Sequence, residues 1–328
     1  MAGRYNPSAI PIAVRPESDA ASKGLAAGDQ VLSVNGIRLT REDSRYIDYA
    51  YGVFPQSGLH LEVRSPDGVK RSVVAASRVV PGQPVVRGID VREYVRNYHA
   101  EKRSRYFAID KKVLIWKLPD FLFDPGDSDE LLDKARSYET VILDLRGNHG
   151  GLEETAGKII CGFFNHDVKI ADKQGRQASK PVTAKSRGSR AVSNKLIVLI
   201  DSTSASASEI LARVVQLERR GTVIGDGSAG AVTEAKEYIH AVSLDPKNVS
   251  QYGTQITVAN LVHSDGQSLE RVGVTPDERI VPTPQDLRTG HDPVLARAVE
   301  LAGAKMTPEE AGKVFPFLWP KKLMPEYD

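Results

Sequence analysis

Residues 195–230 read KLIVLIDSTSASASEILARVVQLERRGTVIGDGSAG. The apolar run 196–200 ends in a cluster of small and hydroxyl residues. Ile210, Leu211, Val214, Val215 and Leu217 then share one face of a 3.6-residue period, and a second apolar run, 222–224, enters a glycine-rich turn. The pattern predicts strand, tight turn, helix, strand. A serine in that turn sits at a helix N-terminus, where backbone N–H groups lack partners and negative charge is favoured. Two readings of the serines follow. Ser and Thr are preferred helix caps. An exposed hydroxyl beside free N–H donors is also what an acyl-transfer nucleophile needs.

Upstream of this stretch, 107–118 reads as a hairpin, 131–138 as a short amphipathic helix and 141–145 as a buried strand. The loop Arg146-Gly147-Asn148-His149-Gly150-Gly151 and a helix over 153–164 follow. Residues 166–193 are polar and poorly patterned, apart from a strand over 167–171. Downstream, 237–242 and 255–260 read as strands and 292–301 as a helix. From 107 onward the order βαβαβαβ with buried apolar strands predicts a layered α/β core.

The N-terminal part is different. Residues 9–14 form a short strand with a proline, which suits an edge. The strand 30–34 closes on Asn35-Gly36, a strong hairpin signal. A helical pattern covers 41–51, and strands 59–63 and 70–75 flank the turn Ser65-Pro66-Asp67-Gly68. This predicts a small β-rich domain over 9–78, a linker over 79–106, the α/β core over 107–285 and a helical C-terminal extension over 286–328. The basic, aromatic run 92–105 reads as a solvated surface.

The 328 residues are 41% hydrophobic and 26% charged, with a formal net charge of +2. That suits a soluble globular chain and gives no bulk argument for a nucleic-acid partner or an anionic membrane. Cys161 is the single cysteine, so no intramolecular disulfide forms. No stretch has the roughly 18 apolar residues of a membrane span. Residues 1–10 lack a signal-peptide core, which leaves a cytosolic chain or one without its leader. No His, Cys, Asp and Glu cluster has metal-ligand spacing.

The segment AASKGLAAGDQVLSVNGIRL resembles the core of PDZ domains, with Gly24 and Leu25 at the pair that packs under the peptide groove. Only MAGRYNPS precedes residue 9, where protease-type PDZ domains carry a further strand and a carboxylate-binding loop. VILDLRGNHGGLEETAGKII, SASASEILARVVQLERRGTVIG and HSDGQSLERVGVTPD resemble three motifs of the tail-specific, C-terminal-processing serine proteases of peptidase family S41, in that family's order. The resemblance implies a crotonase-like α/β serine-protease core behind a PDZ-like domain, and endopeptidase action on peptides or unfolded proteins. It implies Ser206 as nucleophile, with Ser204 and Ser208 structural. The Ala207 N–H would be one oxyanion donor and a loop glycine the other, Gly150 in preference to Gly151. Asp144 and Arg146 would order the loop. No cofactor or metal is implied, and the family weakly favours a periplasmic or secreted location.

One position departs from that pattern. Ala231 stands where the family has the lysine of its Ser–Lys dyad, and a methyl group cannot accept a proton. His149, Lys236 and Glu270 are the candidate replacement bases. Lys236 and Glu234 lie at odd spacing from Ala231, so a regular strand would turn them to the other face. Glu270 resembles the glutamate of the tricorn core protease. The alternative is a catalytically silent relative, natural or engineered, that binds peptides.

Overall fold

A computed structural model of the chain describes residues 13–40, 47, 50, 51, 54, 56–77, 103–176, 180–245 and 248–317. The expected strand 9–14 and the linker 79–106 lie almost wholly outside the described residues. Of the helix expected over 41–51, Ile47, Ala50 and Tyr51 are described and helical. The chain divides into two compact units: 1–101 with 281–297 and 305–328, and 102–280 with 298–304.

In the first unit, a one-turn helix α1 (Asp19–Ser22) precedes β1 (Gln30–Val34), β2 (Ile37–Arg38), β3 (Gly58–Arg64) and β4 (Lys70–Ala76). They form an antiparallel sheet in the order β2-β1-β3-β4. The β1–β2 turn is Asn35-Gly36, and both residues have positive φ, as the hairpin signal requires. Alternate residues of β3 and β4, among them Leu61, Val63 and Val73, close a small core with Val31, Val34, Leu39 and Ile47.

The second unit holds a six-stranded sheet in the order β14-β11-β10-β7-β6-β5. Its strands are β5 (Arg105–Ile109), β6 (Val113–Lys117), β7 (Thr140–Asp144), β10 (Lys195–Ile200), β11 (Thr222–Gly225) and β14 (Glu278–Arg279). β5 pairs antiparallel with β6, and every other neighbour is parallel. This is the expected α/β core. β6, β7 and β10 are buried on both faces, which is why they read as unbroken apolar runs. Helices α2 (Ser128–Arg136), α3 (Glu153–Gly162) and α4 (Ala207–Leu217) pack Leu132, Ile159, Leu211 and Val215 with Leu114, Trp116, Leu143 and Val198 of the sheet.

A further antiparallel sheet, β12-β13-β8-β9, comprises β12 (Thr233–Asp245), β13 (Asn248–Val262), β8 (Val168–Gly175) and β9 (Val182–Ala184). β12 and β13 form a hairpin well beyond the 237–242 and 255–260 that alternation predicts. Tyr238 and Ile256 are exposed, so little burial imposes a period-2 pattern on this arm. The C-terminal helices are α5 (Pro284–Thr289), α6 (Pro293–Leu301) and α7 (Pro308–Val314). Thr283 and Thr307 cap α5 and α7, each over a proline in the first turn. Among the described residues, no helix is long and apolar enough to cross a membrane.

Candidate active site

β10 delivers its chain into residues 201–206, and α4 begins at Ala207. Asp201 Oδ1 organises the turn, accepting N–H bonds from Gly147, Thr203 and Ser204. Ser204 is fully buried and its hydroxyl donates to the Leu145 carbonyl (2.9 Å). Ser208 is equally buried and donates to the Asn148 carbonyl (3.0 Å). Both hydroxyls thus fasten the start of α4 to the 145–151 loop. Ser206 is half-buried between them, with φ 55° and ψ −116°. A non-glycine residue at positive φ outside the left-handed helical well is strained and persists only where its surroundings impose it.

The glycine loop packs directly on this elbow. Asn148 is its hub: its carbonyl accepts the Ala205 N–H, its Nδ2 donates to Leu118 O and its Oδ1 accepts the Gly150 N–H (2.8 Å). That last bond gives the Gly150 N–H, the preferred oxyanion donor of the sequence reading, an acceptor within its own loop. Gly150 has another task. A Cβ built there would lie 2.7 Å from Ser206 Cβ and 3.0 Å from the Ala207 nitrogen, so only a glycine lets the loop approach. Gly151 is exposed, and its N–H has no acceptor among the described residues. Ala207, first residue of the helix, has no intrahelical acceptor for its N–H.

An ionic cluster supports the loop from below. Asp144 is buried, with Arg146 Nε and Nη2 on its two oxygens at 3.0 and 2.9 Å and Lys117 Nζ at 3.2 Å. Burial alone would raise the Asp144 pKa, but the two cations hold it well below the usual carboxylate range. The same burial lowers the Lys117 pKa, opposed by Asp144. Lys117 also donates to the Arg146 carbonyl.

Across from Ser206 lies the 228–232 turn. Glu209, fully buried in the first turn of α4, joins the two. Its Oε2 accepts the N–H groups of Ser206 (2.9 Å) and Ala231 (3.0 Å). Its Oε1 accepts the Ser228 hydroxyl and the Gly230 N–H, both at 2.6 Å. Two donors of ordinary hydrogen-bond length on one oxygen lie within about 6 Å of each other, so the backbone of Ala231 is beside that of Ser206. Sequence reading passed over Glu209 and Asn148. The Ser-x-x-Glu spacing of a capping box, Ser206 to Glu209, was the available signal for the first. None pointed to the second.

Among the described residues, no hydrogen bond links Ser206 to any of the candidate bases. His149 is exposed between buried Asn148 and Gly150 and makes no hydrogen bond or ion pair among the described residues. Lys236 is exposed on β12, opposite Ile256. The register of β12 shifts between Glu234 and Ala235, the irregularity that the spacing of Lys236 demanded. Glu234 pairs with Lys173 (3.1 Å). Glu270 accepts the Val232 N–H (2.8 Å) and so pins the turn that carries Ala231. Among the described residues, no group of three or more His, Cys, Asp or Glu could hold a metal.

A largely parallel sheet thus leads through β10 into a turn with a strained serine, and a glycine loop packs against it. A sequence profile for peptidase family S41 matches residues 112–280, and the chain belongs to that family. It is 32% identical over 183 residues to a carboxy-terminal-processing protease of Bartonella bacilliformis, covering 55% of this chain and 39% of that protein. It is 30% identical over 161 residues to the carboxy-terminal processing protease CtpA of Bacillus subtilis, covering 47% and 32%. The match to a tail-specific protease of Haemophilus influenzae is 27% over 269 residues, covering 78% and 36%. The chain therefore spans well under half the length of these three relatives. The crystal structure of mature CPAF shares the fold, with TM-score 0.58 and 14% identity over 87% of this chain and 79% of that one.

Proposed function

We propose that this chain is built as a serine endopeptidase of the tail-specific type, acting on peptides or unfolded proteins, with Ser206 as nucleophile. The observation that carries the reading is the Ser206 elbow: a strained serine at a helix N-terminus, held against a glycine loop with two N–H groups uncommitted. Ser206 Oγ would attack the scissile carbonyl. The Ala207 and Gly151 N–H groups would hold the oxyanion, each donor contributing about 10²–10³ in rate. Proton transfer from Oγ is the weak step, because Ala231 offers no acceptor. In the first unit, Leu25 packs on the small core and the Gly24 carbonyl accepts from Arg71 (2.8 Å). These residues lie in the segment that resembles a PDZ core, and such a module would take an extended peptide by strand addition.

The methyl at 231 favours one second reading, a peptide-binding relative without turnover. Casein cleavage by the parent chain, Ser206→Ala and Ala231→Lys separates the two. A general base contributes about 10²–10⁴-fold, so Ala231→Lys should raise turnover by at least 100-fold. Cleavage by the parent but not by Ser206→Ala would establish an active peptidase with another base. Cleavage by Ala231→Lys alone would establish the silent relative. Equal cleavage by the parent and Ser206→Ala would remove Ser206 from the chemistry.

A further inference from the structure

Glu209 has two unusual properties together. It is a carboxylate with no solvent exposure and no cationic partner among the described residues, yet four donors surround it. A carboxylate offers about four lone-pair sites. All four are taken, so Glu209 has no site left for the Ser206 hydroxyl proton and is not the missing base. Its donors come from two places far apart in sequence: the strained residue 206, and residues 228, 230 and 231 of the turn after β11. Ser228 extends the connection, because its Oγ also accepts the Val274 N–H (2.6 Å). Glu270 takes the next N–H along, that of Val232. Three consecutive amides of the turn thus end on two carboxylates.

We infer that Glu209 is a positioning residue that locks the Ser206 elbow to the 228–231 turn, fixing the nucleophile and position 231 as one rigid pair. The inference rests on Ser206 being the nucleophile. Position 231 is then held in the register a proton acceptor needs, whatever side chain it carries. A glutamine at 209 would keep the shape and lose the function: its one oxygen can serve half of the donors, while its amide N–H groups would face the rest. Charge-assisted bonds to a carboxylate are about twice as strong as neutral ones, so the loss falls on both partners together.

Two measurements on the full chain test this with Glu209→Gln. The first is amide hydrogen exchange. Protection at Ser206, Gly230 and Ala231 should fall together by at least 10-fold, with β6, β7 and β10 unchanged. Unchanged protection at these three amides overturns the lock. The second is labelling with diisopropyl fluorophosphate, in which a Ser206 Oγ–P bond forms, the P–F bond breaks and fluoride leaves with the hydroxyl proton. The maximal labelling rate should drop at least 10-fold with the half-saturating concentration unchanged, which a merely looser fold would not produce. An unchanged maximal rate overturns the positioning role. If the parent chain itself does not label, the nucleophile reading fails, and exchange still decides the lock. Ser228→Ala, which removes one donor and leaves the carboxylate, guards against a Glu209→Gln chain that does not fold. It should lower exchange protection at Gly230 and Ala231, and equal protection in that variant overturns the lock.

Discussion

At the scale of single residues, the site depends on atoms that are absent as much as on those present. Gly150 lies at φ 96°, with the Ser206 side chain and the Ala205 and Ala207 backbone around the space a Cβ would fill. Gly150→Ala therefore incurs a left-handed backbone penalty and an overpacking penalty, together roughly 2–5 kcal/mol. The chain should lose that stability in a urea titration, and fluorophosphonate labelling of Ser206 should fall by at least 100-fold. An alanine variant with parental midpoint and labelling would show that the loop yields freely. The sequence singles out Ser206 and the two glycines because small residues between apolar runs are a local signal. It could not separate Gly150 from Gly151, because the Asn148 side chain decides which N–H is free. It also missed Glu209, whose partners at 228–231 are some twenty residues away.

At the scale of elements, the strands and helices that run into the core were readable except for β14, which is two residues long. β10 is an unbroken apolar run buried on both faces and α4 carries a 3.6 period, and both lie where the apolar pattern puts them. The third sheet was readable only in part: the strands at 167–171, 237–242 and 255–260 fall on β8, β12 and β13, whereas β9 is three residues long and left no pattern. Where β13 ends, His263 ties this sheet together. It is buried, its Nδ1–H donates to the Ile170 carbonyl of β8 (2.9 Å), and its Nε2 has no partner among the described residues. Arg213 of α4 faces the same region, paired with Asp265 and with its own Nε unpartnered. Burial lowers the His263 pKa, and Arg213 adds to this, against opposing contributions from Ile170 O and Asp265. The folded chain then binds fewer protons at this site than the unfolded chain. The stability it contributes is complete above the unfolded value of about 6.5 and is lost as pH falls from there toward the lower folded value. Urea midpoints between pH 7.5 and 5 should decline in the parent. In His263→Asn, which keeps an N–H donor for Ile170 O, the decline should be shallower. Parallel curves for the two proteins would assign the acid sensitivity elsewhere.

At the scale of the whole molecule, the chain order hides which parts fold together. Local patterns divide it into 9–78, 79–106, 107–285 and 286–328, whereas compactness groups 281–297 and 305–328 with the N-terminal sheet. One buried carboxylate makes part of that connection. Asp29 is fully buried in the turn before β1, where it accepts the Ala26 N–H (2.9 Å) and an Arg71 bond from β4 (2.6 Å). Its other oxygen accepts from Arg288 of α5, 259 residues away. A Cβ on Gly28 would collide with the Pro284 carbonyl, so α5 rests directly on that turn. No periodicity or motif encodes such a pairing, because neither partner is unusual in its own segment. The prediction is that α5 is structurally part of the small sheet. Arg288→Ala leaves Asp29 with one guanidinium and a vacant oxygen, a loss of about 1.5–3 kcal/mol for a charge-assisted bond. Hydrogen exchange should speed up across β1, β3 and β4 by a corresponding factor of at least 10. Adding Asp29→Asn to that variant should cost less than it does in the parent, because the two residues share the interaction. Additive costs, or exchange that quickens only within α5, would mean that the sheet stands without its C-terminal helix.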